Sequence, residues 1–151
     1  MSEFINKLKI TLNNLVRIGD VGYTEAMSEM IITELQKYKI TERPIHCIIK
    51  TENEKITHIR ENDIWNKDRF DLSDEIIPIA NKIDRKTKDE YNVELEKYKE
   101  KRGDEIFKIK IKNIGNNLRN NNTKDKLNFM EKVFNNVELK NNEIQKYMEK
   151  K

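Results

Sequence analysis

The segment Thr41–Lys50, TERPIHCIIK, marks a change from helical to strand periodicity and decides the fold. It contains the single cysteine, Cys47, next to His46, one of only two histidines. Pro44 disfavours a helical conformation at the residue before it, and apolar residues alternate from Ile45 onward. Adjacent side chains of a strand point to opposite faces, so we do not expect His46 and Cys47 to share a metal or act as a nucleophile–base pair. We interpret the segment as a strand in which Cys47 is a small buried apolar group.

A second alternating run follows at Ile56–Arg60, ITHIR, after the polar turn TENEK. The two runs predict a β-hairpin, and a third extended piece is expected around Ile64 and Trp65. A turn about Asn53–Glu54 leaves His46 on one face of the hairpin. The other face then carries four residues, Cys47, Ile49, Ile56 and His58. A slip of one residue reverses this arrangement, so the face shared by the two histidines stays open at this point.

Helical spacing of apolar residues predicts helices on both sides of the hairpin. Before it, one helix runs from Phe4 to the glycines of Gly19–Gly22, and a second runs from about Tyr23 to Tyr38. After it, a helix is expected near Asp71 and Ser73, which are good capping residues. Pro78 is tolerated only in or near a first turn, so this helix is expected either to start late or to be kinked there.

The C-terminal third contains a segment that fits two periodicities. The run DEIFKIKIKNIGNNL, residues 104–118, fits a strand through Ile109 and Ile111, and it fits a helix through Phe107, Ile111, Ile114 and Leu118. We favour the helix because no partner strand is evident. The run GNNLRNNNTKDK, residues 115–126, is predicted to be a loop, and Thr123 is predicted to cap a last helix.

The fold predicted from these elements is mostly α with one β-hairpin, of the α+β class. Its helix–helix–hairpin–helix order loosely resembles a winged helix, which is an analogy of topology only. We assign residues 1–102 to this core domain and residues 103–151 to a basic helical extension packed on it.

Charge is unevenly distributed along the 151 residues, whose net charge is +3. Residues 99–126 carry 9 Lys and Arg against 4 Asp and Glu, whereas residues 1–98 carry 16 against 19. Such a zone is typical of a nucleic-acid-binding surface, and the alternative is a solvated helix surface. The candidate binding residues are Lys99, Lys101, Arg102, Lys108, Lys110, Lys112, Arg119, Lys124 and Lys126. Phe107 is the zone's one aromatic residue.

Motifs of catalysis are missing from the sequence. It has no phosphate-binding glycine loop, no GxSxG, no HExxH and no EF-hand loop, so we predict no enzyme activity, no cofactor and no metal. One cysteine permits no internal disulfide, which favours a reducing compartment. No run reaches the ~18 apolar residues that a membrane-spanning helix needs.

The segment Gly22–Asp68 resembles a domain of uncharacterised proteins from giant (nucleocytoplasmic large DNA) viruses. The matching residues are Arg43, Pro44, Ile45, His46, Cys47, Trp65 and Ala80–Lys82. Members often carry an N-terminal zinc-finger-like region, which this chain lacks, and a Lys-Arg pair where this chain has TENEK. The resemblance implies a viral protein of the host cytoplasm, the viral factory or the virion, and it supplies no catalytic residues.

Two hypotheses follow from the sequence. The first is a non-enzymatic viral protein that binds nucleic acid in replication, transcription or genome packaging. The second is a virion component or other interaction protein that forms homo-oligomers or binds other viral proteins, with the helix around Phe129–Val137 buried against its partner. Neither hypothesis requires a membrane.

Overall fold

The computed structural model of the protein describes residues 1–51, 54–62, 64–69, 76–100 and 105–136. These residues form helices and one antiparallel sheet, which confirms the α+β prediction. The helices are α1 (Ser2–Lys7), α2 (Leu12–Val21), α3 (Tyr23–Leu35), α4 (Ile76–Glu100), α5 (Glu105–Arg119) and α6 (Thr123–Asn136). The strands are β1 (Ile45–Thr51), β2 (Glu54–Glu61) and β3 (Ile64–Arg69), and a 3-10 turn at Ile40–Glu42 precedes β1.

The predicted first helix is wrong in one respect, because the chain forms two helices there. Leu8 is extended, and Thr11 begins α2 with a capping box. The Asn14 backbone N–H donates to Thr11 Oγ1 at 3.2 Å, and the Thr11 N–H donates to Asn14 Oδ1 at 2.9 Å. These reciprocal bonds satisfy orphan donors at the helix start, which a continuous helix would not need. The apolar stripe continues across the break, since Leu8 and Leu15 are both buried.

The turn between α2 and α3 is made at Gly22, and Gly19 lies inside α2. Gly22 has φ 95° and ψ 167°, a conformation open almost only to glycine. It ends α2 and starts α3 at the same residue, so the two helices meet without a longer loop. The α3 stripe is as predicted, with Ala26, Met27 and Ile31 buried.

The sheet has the order β1-β2-β3, so the predicted hairpin is confirmed and a third strand extends it. The face shared by the two histidines, which the sequence left open, is now defined: both lie on the same face, and the pairing differs from the one that a turn about Asn53–Glu54 would give. His46 pairs with His58 and Ile45 pairs with Ile59, with an irregularity between Ile49 and Thr51. In this register Ile45, Cys47 and Ile59 lie in the helical core, which explains why it is preferred over the pairing that a turn about Asn53–Glu54 would give.

The second face of the sheet carries both histidines. The His46 ring stacks on Trp65 with centroids 5.1 Å apart and planes at 26°, and the Arg60 guanidinium lies 5.6 Å from the Trp65 ring. His46 and His58 are only 2% and 7% exposed. The sheet is therefore buried on both faces at this point. His46 and His58 lie on one face, and Cys47 points from the other face into the core, as expected.

One hydrophobic core joins the sheet to the helices of both halves of the chain. Helix α6 packs against α3, α4 and β1, and α5 packs against α2. Ile114 and Leu118 of α5 belong to the same cluster as residues of α1–α3, so the C-terminal helices complete the core. The boundary predicted between residues 102 and 103 stays a prediction, because residues 101–104 lie outside the described ranges.

The helix predicted at 104–118 is confirmed as α5, but two predictions beside it are wrong. The predicted loop, 115–126, is mostly helical, and only residues 120–122 separate α5 from α6. The cap of α6 is Asn122 and not Thr123: Asp125 N–H donates to Asn122 Oδ1 at 2.9 Å, and Asn122 N–H donates to Asp125 Oδ2 at 3.0 Å. At the start of α4, Pro78 is the third residue, which its ring tolerates, while Asp71 and Ser73 lie outside the described residues.

Candidate nucleic-acid interface

Helix α5 positions four of the predicted basic residues. Its inner side is fixed by Ile111, Ile114 and Leu118, which are buried at helical spacing. Ile109, which the strand interpretation would place beside Ile111, is 61% exposed. The lysines between these isoleucines therefore emerge on the solvent side of a helix instead of lining one face of a strand.

Two close contacts and one hydrogen bond hold α5 against its neighbours. A Cβ at Gly19 of α2 would lie 3.2 Å from Ile114, and a Cβ at Gly115 would lie 2.5 Å from the Tyr91 hydroxyl of α4. Asn117 Nδ2 donates to the Ile18 carbonyl at 2.7 Å. The helix is thereby fixed in rotation, which determines the directions of its outward side chains.

Lys108, Lys112 and Arg119 form what we call the α5 basic face. At ~100° per residue they fall within about 40° of one another on the helical wheel, on the side next to α4. All three are exposed, and Lys108 and Lys112 form no salt bridge with any described residue. Arg119 donates to Asn116 Oδ1 at 3.1 Å. Lys110 is also exposed and lies about 180° around the helix, towards α2.

The structure does not bring the remaining candidates into the α5 basic face. Lys124 is exposed in the first turn of α6. Lys126 is turned inward: its Nζ donates to Asn81 Oδ1 at 2.9 Å and lies 3.8 Å from Asp84 Oδ2. Lys99 lies near the end of α4, where only the backbone is described, and Lys101 and Arg102 fall outside the described residues.

Lys126 belongs to a polar group around the buried Asp84 that we call the Asp84 cluster, which consists of Tyr23, Asp84, Lys88, Asn121 and Lys126. Tyr23 donates its hydroxyl to Asp84 Oδ1 at 2.7 Å, and Lys88 Nζ lies 2.9 Å from Asp84 Oδ2. Asp84 is only 4% exposed, so these partners replace the water that its charge would otherwise bind.

Burial, and then the hydrogen bond to Asp84, raise the pKa of Tyr23 well above its ordinary value. A phenol held in its protonated form is a poor base or nucleophile. The contacts of Asp84 with Tyr23, Lys88 and Lys126 link α3, α4 and α6. Within the described ranges, no group of three or more His, Cys, Asp and Glu side chains is placed to hold a metal ion.

One feature of α5 was missed by the sequence reasoning. Three exposed residues of α5, Ile109, Asn113 and Asn116, and the exposed Asn120 directly after its end follow one line between Lys112 and Lys110. We call them the outer row. The signal was present as asparagines at positions 113, 116 and 120, whose spacing is helical, but the abundance of asparagine suggested a loop.

The comparisons with known proteins add no relative. The chain matches no model of a protein family, no curated protein and no solved structure. The resemblance to giant-virus proteins therefore stays a prediction. None of the described helices combines the length and the hydrophobicity that crossing a bilayer needs.

Proposed function

We propose that the protein binds nucleic acid without catalysing a reaction on it, and that it serves viral replication, transcription or genome packaging. The α5 basic face carries this proposal. Lys108, Lys112 and Arg119 project together from a helix whose rotation is fixed, and they have no carboxylate partner among the described residues. Cations arranged in this way can bind phosphates of a nucleic acid, and the release of the counterions from those phosphates favours binding.

The spacing of the α5 basic face suits a phosphate backbone. Lys108 and Arg119 are separated by 11 residues, which corresponds to about 16 Å along the helix axis. Long, flexible lysine side chains extend this reach to two or three phosphates of one strand. Lys126 is not expected to contribute, since it is held by Asn81 and Asp84.

The test is binding to a fluorescent 20-base-pair duplex, followed by anisotropy at several salt concentrations. We expect affinity to fall steeply with salt, and the triple substitution Lys108→Gln, Lys112→Gln and Arg119→Gln to reduce the slope of log K against log salt by about 3 × 0.9. The matched control replaces three other exposed cations, Lys9, Lys82 and Arg85, by glutamine.

The two variants have equal net charge, so a difference between them reports position and not total charge. No binding by the wild type at low salt, or equal losses in both variants, would remove the proposal. Circular dichroism checks that both variants stay folded, which their exposed positions lead us to expect.

A second candidate function, self-association, is favoured by a different observation. The helix predicted to contact a partner has its apolar side in the chain's own core, because Phe129, Met130, Val133 and Phe134 are fully buried; Val137 lies outside the described residues. The exposed apolar residues of α5, Ile106 at 69% and Ile109 at 61%, take its place as contact candidates. Light scattering of the wild type and of Ile106→Asn with Ile109→Asn tests this: a monomer in both cases excludes it.

A further inference from the structure

We infer that α5 is a recognition helix that enters the major groove of duplex DNA and contacts A·T base pairs through the outer row. This inference rests on the proposed function, and it adds the type of nucleic acid and the manner of reading. It depends on the residues of the outer row, which lie between the α5 basic face and Lys110 and which phosphate binding alone does not use.

The outer row has the shape that groove entry requires. Ile109, Asn113, Asn116 and Asn120 fall within about 60° of one another on the wheel, with the α5 basic face about 90° to one side and Lys110 about 90° to the other. The row spans about 16 Å, which corresponds to roughly five base pairs at 3.4 Å each. The major groove is ~12 Å wide and admits an α-helix, with a phosphate strand on either side. Cations on both flanks of an uncharged row match this arrangement.

The chemistry of the outer row favours A·T pairs. An asparagine amide offers one donor and one acceptor, which complement adenine N7 and N6 in the major groove, and an aliphatic side chain fits the thymine methyl group. Guanine is instead read by arginine or lysine in bidentate contact, and the row has neither. Asn113 makes no side-chain hydrogen bond with any described residue, so it is the most available reader. The Arg119 guanidinium donates to the side-chain oxygen of Asn116, which orients the Asn116 amide.

The surroundings of the row favour a duplex over a single strand. Single strands are bound by stacking bases on exposed aromatic rings. Phe107, the aromatic residue of α5, packs against Tyr98 of α4 with ring centroids 5.3 Å apart and is half-buried. Glu105 lies at the other end of the helix from Asn120, so its charge bears on the first turn, and docking is expected to centre on Asn113 and Asn116.

The experiment compares the affinities of the full chain for an A·T-rich duplex, a G·C-rich duplex and a single strand at one salt concentration. We expect the A·T-rich duplex to bind about 10-fold more tightly than the G·C-rich one. The variant Asn113→Ala with Asn116→Ala should lose this preference and keep the affinity for the G·C-rich duplex. Replacing adenine by 7-deazaadenine removes the N7 acceptor, and it should weaken the wild type but not the variant.

Two further arms sharpen the result. Replacing thymine by uracil removes the methyl group, and it should weaken the wild type more than Ile109→Ala. Equal affinity for both duplexes, tighter binding to the single strand, or an unchanged preference in the asparagine variant would overturn the inference. If binding still depends on Lys108, Lys112 and Arg119 in those cases, the proposed function stands; if nothing binds, both fall.

Discussion

Replacing Gly115 by alanine tests whether α5 is held by close contact with α4. Alanine ordinarily favours a helix over glycine by about 1 kcal/mol, so an unconstrained helical site would be stabilised. Here the new Cβ would lie 2.5 Å from the Tyr91 hydroxyl and 3.2 Å from its ring carbon Cζ. Tyr91 would have to move, and its hydroxyl would lose the hydrogen bond that it donates to the Ile111 carbonyl at 3.2 Å.

The size of the effect follows from three contributions. Overpacking costs about 1–3 kcal/mol, the lost hydrogen bond costs about 0.5–1.5 kcal/mol, and the helix propensity of alanine offsets about 1 kcal/mol. These ranges sum to a loss of about 0.5–3.5 kcal/mol in the free energy of unfolding, and we expect a value near the middle, about 2 kcal/mol, for Gly115→Ala. For a chain of this size, a loss of about 2 kcal/mol is a fall in Tm of about 4–8 °C.

Urea unfolding of a double-mutant cycle with Tyr91→Phe separates the contact from propensity. Phenylalanine removes the oxygen nearest to the new Cβ, so Gly115→Ala should be neutral or stabilising in that background. A coupling free energy of about 1–2 kcal/mol is expected between the two sites. If Gly115→Ala stabilises the otherwise wild-type protein, or if it has the same effect with Tyr91 and with Phe at position 91, then α4 does not constrain α5 there.

Three other predictions concern the rest of the fold. Gly22→Ala should lower the free energy of unfolding by about 1–3 kcal/mol in urea titrations, although its Cβ meets no atom within 4 Å, because φ 95° with ψ 167° strains any other residue; an unchanged stability would contradict this origin. Asn122→Ala should cost about 1 kcal/mol by removing the cap of α6, whereas Thr123→Ala should cost much less, and the reverse order would restore Thr123 as the cap. Burial, and then the hydrogen bond to Asp84, raise the pKa of Tyr23 in the folded state. Its contribution to stability is therefore complete below the unfolded value of ~10 and is lost as pH rises from there towards the folded value. The stability curve measured from pH 9 to 11 should decline less steeply in Tyr23→Phe than in the wild type, and parallel curves would argue against a raised pKa of Tyr23 in the folded state.

The sequence was most informative where periodicity alone decided the structure. The alternation from Ile45 and the apolar stripes of α3 and α6 required no distant information, and these elements were predicted correctly. Local capping chemistry was misjudged at Thr11 and Asn122. At both places the polar residue that stops or starts a helix also fits a helix interior or a loop, so composition does not distinguish the alternatives.

The hairpin register depended on the core. Pairing His46 with His58 is favoured because it directs Ile45 and Ile59 to the helices, and that benefit arises only when α6 and the sheet are packed together. The outer row was not predicted for the same reason, because it also depends on packing. Asn113 and Asn116 could be placed on the outer side of a helix only after Ile114 and Leu118 were known to be buried on the opposite side. The basic residues were identified from charge, but the division of those on α5 into two flanks follows from the fixed rotation of that helix, and the inward position of Lys126 follows from its contacts with Asn81 and Asp84.

The position of the one thiol gives the protein an internal probe of its own opening. Cys47 is 0% exposed in the middle of β1, and no second cysteine competes for a labelling reagent. Alkylation of the native protein must therefore wait until β1 separates from the helices above it. The labelling rate, read by mass spectrometry across denaturant concentrations, reports how often the sheet detaches and whether the α5 variants designed to test DNA binding leave that event unchanged.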